Sequence, residues 1–581
     1  MKISGSDLAV KILEENDVNY SFGVPGGHLL KLFDSIRDSN ITPILTKHES
    51  GASFMATGYA QVSGKLGVCI GTVGPGATNL VTGVASAYMD SVPILVLTAQ
   101  VGNSAIGKGG LQEATGQGRT VDHVEIFNGM TKYSTLVNNG IKLGQSFNNA
   151  IKLSLNGRPG PVHLDITADT FASDVEVEEG IVKKICRIPM NGDPEAIKEA
   201  ARLLSNAKTP AILAGAGAHN AAQELGKLVE DYSIPIATTL RAKGIVPENH
   251  PLSLGVVGLY GTNIANKYLR SEVDVLLAVG TSFSEFTTHT WDPKFQPKQA
   301  LIQIDIDPWE IDKNYRSTVS ILGDSKPSLI QILTELENLP KKQRDMEFLA
   351  KEKQQRQYYS DPVMDSDSVP IKPQRMMKSL RNALPDDTIV FGDIGNNLAW
   401  VEAFYQSNKP NTYFITSSLA SMGYGVAAAV GGQVAALDRT VACICGDGGF
   451  QMQGMEVVTA VNYDLPVKWF IMNNSSLGMI KDTQNVLFQG RKFNTDFINP
   501  DYVKLAEAMG AVGLRVEKPD EIEAVTKQAL ENGRPTIVDI VIDADEAPSF
   551  DARAEAMTRA WGVQVGVWQK IKLIPEVIRR R

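Results

Sequence analysis

Residues 440–450 read TVACICGDGGF, and Asn473-Asn474 follow farther along the chain. Residues 440–445 are β-branched, small or apolar, which predicts a buried strand, and the following Gly-Asp-Gly-Gly predicts a turn into a helix over 451–461. A second apolar run, 466–472, predicts the strand that ends at the asparagine pair. Because ligands of parallel sheets bind outside the carboxyl ends of the strands, Asp447 and Asn474 are expected side by side at one edge.

The residue types at this edge suit a metal shared with a phosphate. Asp447 offers an anionic oxygen and Asn474 a neutral one, as Mg²⁺ prefers, and the glycines let backbone N–H groups approach a phosphate. GDG alone also occurs in plain strand–turn–helix connections. GDG with NN at the end of the next strand resembles the motif of thiamine diphosphate enzymes. The resemblance assigns cofactor contacts to Gly446, Gly448 and Gly449. It assigns Mg²⁺ ligands to Asp447, Asn474 and the backbone carbonyl of Ser476.

Length and composition limit the remaining classes. The 581 residues fit three or four domains at about 150 residues each, and a net charge of −9 argues against broad nucleic-acid binding. No apolar run is long enough to span a membrane, and no signal core opens the sequence. Three of the four cysteines lie in apolar strands and predict core packing, so a reducing cytoplasm is expected. The cysteines are Cys69, Cys186, Cys443 and Cys445.

The chain divides into three segments of alternating helix-like and strand-like patterns, which predicts an α/β protein with three doubly wound parallel sheets. The predicted domains are 1–172, 190–340 and 372–545, followed by a tail, 546–581, that is a possible lid. Polar residues 173–180 and charged residues 341–360 are predicted linkers. The order resembles the pyrimidine-binding, middle and diphosphate-binding domains of the thiamine diphosphate fold, over nearly the whole chain.

Glu49 is the candidate for the acid that activates the cofactor. The run Thr46-Lys47-His48-Glu49 ends a predicted strand and opens a helix, where the acetolactate synthase group carries a similar basic-His-Glu run. The resemblance implies that Glu49 holds a proton at N1′ of the aminopyrimidine. The alternative is an acidic residue favoured in the first turn of a helix by the helix dipole.

Other segments match the same group. Pro75 and Asn79, in GPGATN, would lie beside the aminopyrimidine, although Asn79 alternatively satisfies a backbone donor at a helix start. Gln112 matches a glutamine that faces cofactor and substrate. An extra stretch relative to those synthases, 115–123, either reshapes the substrate entrance or is a longer loop.

In the third segment the resemblance supplies further cofactor contacts. Asn396 and Asn397 follow a strand at a helix start, a place that suits anions. Met422 matches a methionine that props the bent cofactor, although Met also fills gaps in ordinary cores. Gly478 and Met479 would lie against the diphosphate and the thiazolium ring.

Two departures put acetolactate formation from two pyruvates in doubt. Thr483 stands where biosynthetic acetolactate synthases carry a tryptophan, and Ser284-Glu285-Phe286 stands where they carry Asp-Asp-Arg, whose arginine helps select the second 2-oxoacid. His28, after Gly27 in a loop that would contact the cofactor, matches a histidine of benzaldehyde lyase. It would move a proton at the substrate hydroxyl, or else it is a solvent-facing residue at a helix start.

The middle segment and the tail leave alternatives open. Gly215-Ala216-Gly217 and Asp305-Ile306-Asp307 are weak nucleotide signals, and related middle domains hold FAD, ADP or nothing. Basic residues of the tail would meet the phosphates of an acyl-CoA, or they form a solubilising end. The tail residues in question are Trp561, Trp568, Lys570, Lys572 and the three terminal arginines.

Together these observations predict a thiamine diphosphate- and Mg²⁺-dependent lyase or carboligase of acetolactate synthase-like type, acting on a 2-oxoacid or 2-hydroxycarbonyl donor through an enamine. The catalytic candidates are Glu49, His28 and Gln112. A 2-hydroxyacyl-CoA lyase or oxalyl-CoA decarboxylase is the alternative enzyme, and a non-catalytic scaffold is a further alternative. Because Glu49 and Asp447 lie in different domains, the resemblance implies a homodimer or homotetramer with each site between two chains.

Overall fold

The computed structural model describes residues 2–342, 344, 349–351 and 361–548. Within them lie three six-stranded parallel sheets, each flanked by helices, and one two-stranded antiparallel pair. This confirms the predicted α/β class with three doubly wound sheets, while the domain boundaries stay predictions. The predicted tail lies outside the described residues from 549 onward, as does most of the predicted linker 341–360. None of the described helices combines the length and apolarity needed to cross a membrane.

The first unit is built from eight strands and eight α-helices among the described residues. They are β1 (Lys2–Ser4), α1 (Gly5–Glu15), β2 (Tyr20–Gly23), α2 (Leu30–Arg37), β3 (Thr42–Leu45), α3 (Glu49–Ser63), β4 (Gly67–Gly71), α4 (Pro75–Asn79), α5 (Val81–Met89), β5 (Ile94–Gln100), α6 (His123–Asn128), β6 (Ser134–Val137), α7 (Gly140–Leu155), β7 (Val162–Thr167), α8 (Ala168–Ala172) and β8 (Asp174–Glu176).

The middle unit follows the same alternation. Its elements are α9 (Pro194–Asn206), β9 (Ala211–Ala214), α10 (Ala222–Tyr232), β10 (Ile236–Thr238), β11 (Ser253–Val256), α11 (Asn263–Ser271), β12 (Val275–Val279), β13 (Ala300–Asp305), β14 (Val319–Leu322) and α12 (Ser325–Glu337).

The third unit contains residues 440–450 and the pair Asn473-Asn474. Its elements are α13 (Pro373–Ala383), β15 (Ile389–Gly392), α14 (Asn396–Phe404), β16 (Tyr413–Phe414), α15 (Tyr424–Ala435), β17 (Val441–Gly446), α16 (Asp447–Gln453), α17 (Glu456–Asn462), β18 (Lys468–Asn473), α18 (Gly478–Leu487), α19 (Tyr502–Ala508), β19 (Val512–Val516), α20 (Ile522–Glu531) and β20 (Thr536–Val541).

Strand order shows how the units are related. The first sheet runs β3-β2-β4-β5-β7-β6 and the third β16-β15-β17-β18-β20-β19, so both have the same order when each is numbered from its own first strand. The middle sheet, β11-β10-β9-β12-β13-β14, has the strand order of dinucleotide-binding folds. The order in which successive strands are added across the sheet reverses between β2 and β4, between β9 and β12, and between β15 and β17. Ligand crevices lie at such reversals.

Two predicted segments differ from the structure. The predicted Gly-Asp-Gly-Gly turn with a helix over 451–461 is wrong in detail, because α16 begins at Asp447 itself and a second helix, α17, begins at Glu456. The side chain of Asp447 accepts the N–H of Gly448, one of the N–H groups that have no partner within the first turn of the helix. Residues 173–180 are not simply a linker, since β8 pairs with β1 through Ile3 and Val175.

The first and third units share one apolar core at the crossing of α3 and α15. The backbones approach closely because glycines face the partner helix. A Cβ at Gly58 would lie 2.2 Å from the Ala428 carbonyl oxygen, and one at Gly431 would lie 2.0 Å from that of Met55. The crossing therefore fixes the start of α3, where Glu49 lies, relative to the start of α15.

We expect Gly431→Ala to lower the apparent melting temperature measured by scanning calorimetry. The added methyl group would overlap the Met55 carbonyl, and overpacking of this kind costs about 1–3 kcal/mol. Gly226→Ala is the matched control, because a Cβ at Gly226 in α10 meets no atom within 4 Å. It should raise stability by up to about 1 kcal/mol. A melting temperature for Gly431→Ala at or above that of the wild type would contradict the close crossing.

Candidate active site

Asp447 lies at the carboxyl end of β17, and its side chain is buried. Its Oδ1 accepts the N–H of Gly448 at 2.8 Å, and its Oδ2 accepts the N–H groups of Asn474 at 3.0 Å and Ser475 at 2.6 Å. Burial raises the pKa of Asp447, although the hydrogen bonds to its carboxylate oppose the shift. The carboxylate is thus fixed in orientation by neutral N–H groups.

Asn499 is a site residue that the sequence did not indicate. Its Nδ2 donates to Asp447 Oδ2 and to Asn473 Oδ1, both at 2.8 Å. Its Oδ1 accepts from Gln451 Nε2 at 2.7 Å and from the Tyr502 hydroxyl at 2.9 Å. Asn499 therefore clamps the carboxylate to the asparagine pair. It sits in a loop before α19, where no periodicity or motif marks it.

Neutral oxygens and amides gather beside this carboxylate. A Cβ at Gly478 would lie 2.9 Å from Asn396 Nδ2 and 3.2 Å from Asn474 Nδ2, so these side chains converge on Gly478. Asn396 Nδ2 donates to Asp482 Oδ2 at 2.7 Å, and Asn396 Oδ1 is buried with no hydrogen-bond partner in the described part of the chain. The arrangement leaves a polar cradle at the start of α18, which suits an anion.

Ser476 lies between Asn474 and the start of α18, and its carbonyl is a predicted metal ligand. The N–H of Gly478 donates to the Ser476 carbonyl at 2.9 Å across Leu477, whose φ of −72° and ψ of 72° form an inverse γ-turn. A carbonyl has two lone pairs, so one is left for a metal. Asn474 Oδ1 accepts the N–H of Ser476 at 3.2 Å, which holds the two predicted neutral ligands together.

The glycines of the motif are also required by packing. A Cβ at Gly448 would lie 2.8 Å from Leu477 Cδ2 and 3.6 Å from Met422 Cε, and one at Gly449 would lie 2.0 Å from Asp393 Oδ2. Asp393, another residue that the sequence did not single out, is buried, and burial raises its pKa to about 6. Close approach of side chains therefore explains these glycines without any ligand.

Two of the remaining predicted contacts flank this group. A Cβ at Gly446 would lie 3.4 Å from Asn397 Oδ1, so the ends of β15 and β17 meet at the reversal of the third sheet. Met479 is half-buried in the first turn of α18, against the apolar core of the third unit.

The first unit brings Glu49 and Asn79 together. Glu49 opens α3, and Asn79 Nδ2 donates to Glu49 Oε2 at 3.0 Å. Asn79 is the last residue of α4, so the alternative of a donor-satisfying residue at a helix start is wrong. A Cβ at Gly76 would lie 3.3 Å from Glu49 Oε1, and Pro75 begins the short helix that carries Gly76 and Asn79.

The other candidates of the first unit lie around the reversal between β2 and β4. Gln112 is exposed, with a φ of 65°, and its Cβ would lie 3.1 Å from a Cβ at Gly74. His28 is half-buried in a short 3₁₀ helix, Gly27–Leu29, of which Gly27 is exposed. The preceding Gly26 packs on Thr72, because a Cβ there would lie 2.2 Å from Thr72 Oγ1.

The residues around Glu49 lie in the first unit and those around Asp447 lie in the third, and neighbouring residues of the two units are in contact. Gln453 Nε2 donates to Ser50 Oγ at 2.8 Å, and Glu456 Oε1 accepts the N–H groups of Lys47 at 3.1 Å and His48 at 3.0 Å. Glu456 thus holds the turn that precedes Glu49, a role that the sequence did not indicate. The contact joins the third unit to the first within one chain.

The chemistry of the donor set fits a metal that a diphosphate shares. Among the described residues no cluster of three histidine, cysteine or acidic side chains could hold an ion by itself. The cradle instead offers the Asp447 carboxylate beside the neutral oxygens of Asn474 and Ser476, while the Asp482 carboxylate accepts a hydrogen bond from Asn396. A divalent hard cation held by one carboxylate draws its other ligands from phosphate oxygens and water.

Models of thiamine pyrophosphate enzyme domains match the chain in order. The N-terminal TPP binding domain matches residues 3–121, the central domain 197–333 and the C-terminal TPP binding domain 393–540. Thiamine pyrophosphate is the same molecule as thiamine diphosphate. The matched ranges lie on the three sheets and include the groups around Glu49 and Asp447.

Full-length relatives share these domains. The probable acetolactate synthase large subunit of Methanococcus aeolicus is 38% identical over an alignment of 600 positions, which covers 100% of this chain and 98% of that protein. The protein of that name from Methanocaldococcus jannaschii is 39% identical, over 94% of this chain and 93% of its own. The acetolactate synthase isozyme 3 large subunit of Escherichia coli strain K12 is 34% identical, over 96% and 98%. The chain therefore belongs to the acetolactate synthase large-subunit family of thiamine pyrophosphate enzymes, and it is a thiamine diphosphate-dependent enzyme of carboligase type.

Proposed function

We propose that this enzyme uses Mg²⁺ with thiamine diphosphate, takes a 2-oxoacid donor, releases CO₂ and joins the remaining acyl carbon to the carbonyl of a second molecule. The observation that carries the proposal is the pairing of Glu49 with Asn79 on one unit and the Asp447 cradle on another. Relatives named acetolactate synthase large subunit support pyruvate as the first donor to test.

Each half of the site has its own task. When bound, thiamine diphosphate supplies a carbon nucleophile and an electron sink. Glu49 holds a proton at the pyrimidine ring nitrogen, and the 3.0 Å bond from Asn79 keeps the Glu49 carboxyl in one orientation. Asp447, the Asn474 side-chain oxygen and the Ser476 carbonyl hold Mg²⁺. His28 and Gln112 are the candidates for proton transfer and hydrogen bonds to substrate.

The remaining contacts position the cofactor. Backbone groups at the helix starts around the cradle would bind the diphosphate, and Met422, half-buried beside Gly448, would support the cofactor rings. The residues proposed for these contacts are Gly27, Pro75, Asn396, Asn397, Gly446, Gly448, Gly449, Gly478 and Met479. Because Glu49 and Asp447 belong to different units, we propose a homodimer or homotetramer in which two chains complete each site.

Recognition of the acceptor differs from the biosynthetic pattern. Thr483 is small, and its hydroxyl donates to the Met479 carbonyl at 2.7 Å. At the position of the missing arginine, Glu285 is exposed and Phe286 packs on Tyr260 with ring centroids 5.6 Å apart. No cation is supplied there for a second carboxylate. We therefore expect weak discrimination between a second 2-oxoacid and an uncharged aldehyde.

A substrate panel read by product mass tests this function. Pyruvate, alone and with benzaldehyde, should give 2-hydroxyketone products, whereas oxalyl-CoA and 2-hydroxyacyl-CoAs should give none.

Glu49→Gln should lower turnover by about 100-fold or more while cofactor still binds, because the proton at the pyrimidine is lost. His28→Ala should slow ligation without removing cofactor binding. Turnover of an acyl-CoA but not of pyruvate, or normal turnover by Glu49→Gln, would contradict the proposal.

The metal cradle can be tested by titrating thiamine diphosphate against tryptophan fluorescence over a series of Mg²⁺ concentrations. Asp447→Asn should abolish the Mg²⁺-dependent part of binding, and Asn499→Ala should weaken it by about 10–100-fold, because Asn499 orients the carboxylate. Asp501→Asn is the control, since Asp501 lies in the same unit but caps α19. Equal Mg²⁺ dependence in all three variants would exclude the cradle.

We also propose that the middle unit holds an adenine nucleotide. A cavity of about 490 Å³ opens at the reversal between β9 and β12 and is bordered by all three units. Gly217 lets the two loops meet, because a Cβ there would lie 2.9 Å from Gly280 Cα. Arg158 borders the cavity, and its Nη1 bonds Glu310 Oε1 at 2.8 Å. Burial raises the pKa of Asp305, on the same wall, to about 6.

Denaturing the purified enzyme and separating released small molecules tests this site. FAD would be recognised by its flavin absorbance and ADP by its adenine absorbance alone. If the site is emptied, added nucleotide at about 100 times its Kd should stabilise the folded protein by about 2.7 kcal/mol. Nucleotide binding would be refuted if no nucleotide were released and if neither FAD nor ADP changed the melting temperature.

A further inference from the structure

The extra stretch 115–123 folds back on itself and does not run as an open loop. Thr115 and Asp122 form an antiparallel bridge, and the Gly116 N–H donates to the Val121 carbonyl at 2.9 Å. Asp122 then caps α6, accepting the N–H of Glu125 at 3.1 Å. The hairpin therefore delivers His123, at the first position of α6, into the interior, where its side chain is fully buried.

The ring of His123 makes two hydrogen bonds that fix its tautomer. The backbone N–H of Gly74 donates to His123 Nε2 at 3.2 Å, and His123 Nδ1 lies 3.2 Å from Asp165 Oδ1. A backbone N–H only donates, so Nε2 carries no proton. A neutral imidazole has one N–H, which must then be Nδ1–H, and this group donates to the Asp165 carboxylate.

Asp165 is held by the strands beneath it. The Thr98 hydroxyl donates to Asp165 Oδ1 at 2.6 Å, and Gln100 Nε2 donates to Asp165 Oδ2 at 2.9 Å. Gln100 also binds Ala114 twice, donating to its carbonyl at 2.9 Å and accepting its N–H at 3.1 Å. One buried network thus joins β5 and β7 to the loop that carries Gln112, two residues before Ala114.

Gly74 is the point where this network meets the candidate catalytic residues. Its φ of 73° is a conformation that favours glycine, and a Cβ there would lie 3.1 Å from Gln112 Cβ. Pro75 follows and starts α4, whose last residue, Asn79, donates to Glu49. Movement of the Gly74 peptide would therefore shift both Gln112 and the partner of Glu49.

We propose that His123 is a positioning residue: its neutral ring, oriented by Asp165, anchors the Gly74 N–H and so sets Asn79 and Gln112 in place around the cofactor. The significance for catalysis rests on the proposed roles of Glu49 and Gln112. The anchoring of Gly74 belongs to the protein alone and is measurable without cofactor.

Two replacements separate the two ring nitrogens. In His123→Gln the side-chain oxygen reaches about the place of Nε2 and accepts the Gly74 N–H. In His123→Asn the side-chain amide reaches only the place of Nδ1, so it donates to Asp165 and leaves Gly74 without a partner. Both variants remove the ring, so a difference between them reports the Gly74 bond and not the loss of packing.

Amide hydrogen exchange of Gly74, read by mass spectrometry with fragmentation on cofactor-free protein, is the first measurement. Because Pro75 has no N–H, fragments that end at Gly74 or at Pro75 carry the same exchangeable amides, and the Gly74 amide is measured without a contribution from residue 75. His123→Asn should speed exchange about tenfold or more, whereas His123→Gln should stay within about threefold of wild type. Equal exchange in wild type and both variants would overturn the anchoring. If neither variant folds, Asp165→Asn supplies the test, with faster Gly74 exchange expected and unchanged exchange overturning it.

Turnover is the second measurement. His123→Asn should lower kcat in the carboligation assay with little change in the donor KM, and His123→Gln should restore most of the lost kcat. Equal loss of kcat in both variants, with wild type active, would overturn the positioning role. If wild type ligates no substrate while Gly74 exchange responds as expected, the proposed function fails and the anchoring stands.

Discussion

The structure depends on the close crossing of α3 and α15. At Gly58 and Gly431 the two helices approach until backbone meets backbone, and larger residues would force them apart. Both helices are buried along nearly their whole length, so they act as the shared core of two units rather than as surface helices. Because α3 begins at Glu49 and α15 begins just after Met422, this packing fixes the positions of these two residues relative to each other within one chain.

The candidate residues of the first and third units lie where the strand order reverses. In the third sheet this place is at the carboxyl ends of the paired strands β15 and β17, which Asn396 and Asp447 border. In the first sheet it is the gap between β2 and β4, bordered by the loop of His28 and by the Gly74-Pro75 turn. At such a reversal the connections that follow the two strands run to opposite faces of the sheet, and a crevice opens between them while the strands stay paired. The first and third units, which have one strand order, thus each present a crevice at the same place in the sheet.

Local patterns made much of this predictable. The apolar runs before Asp447 and Asn474 are read from composition, and parallel pairing then brings the two residues to one edge without further information. Asn499 could not be predicted from the sequence because it lies in an irregular loop, and its contact with Asp447 depends on how that loop folds over the sheet. The pairing of β1 with β8 was missed because three-residue strands at the edge of a fold carry too little alternation to register.

The surroundings of Asp447 explain why a buried carboxylate is tolerated there. Burial alone favours the protonated acid, and the groups that contact its oxygens are N–H donors without formal charge. Those donors compensate part of the lost hydration, but they leave the negative charge unneutralised. The hard cation of the proposed function would balance this charge, and the oxygens of Asn474 and Ser476 are neutral ligands of the kind that such a cation takes. In the proposed function, a hard cation held by this carboxylate would keep surplus positive charge, which would attract a diphosphate to this edge of the sheet and couple cofactor binding to metal binding.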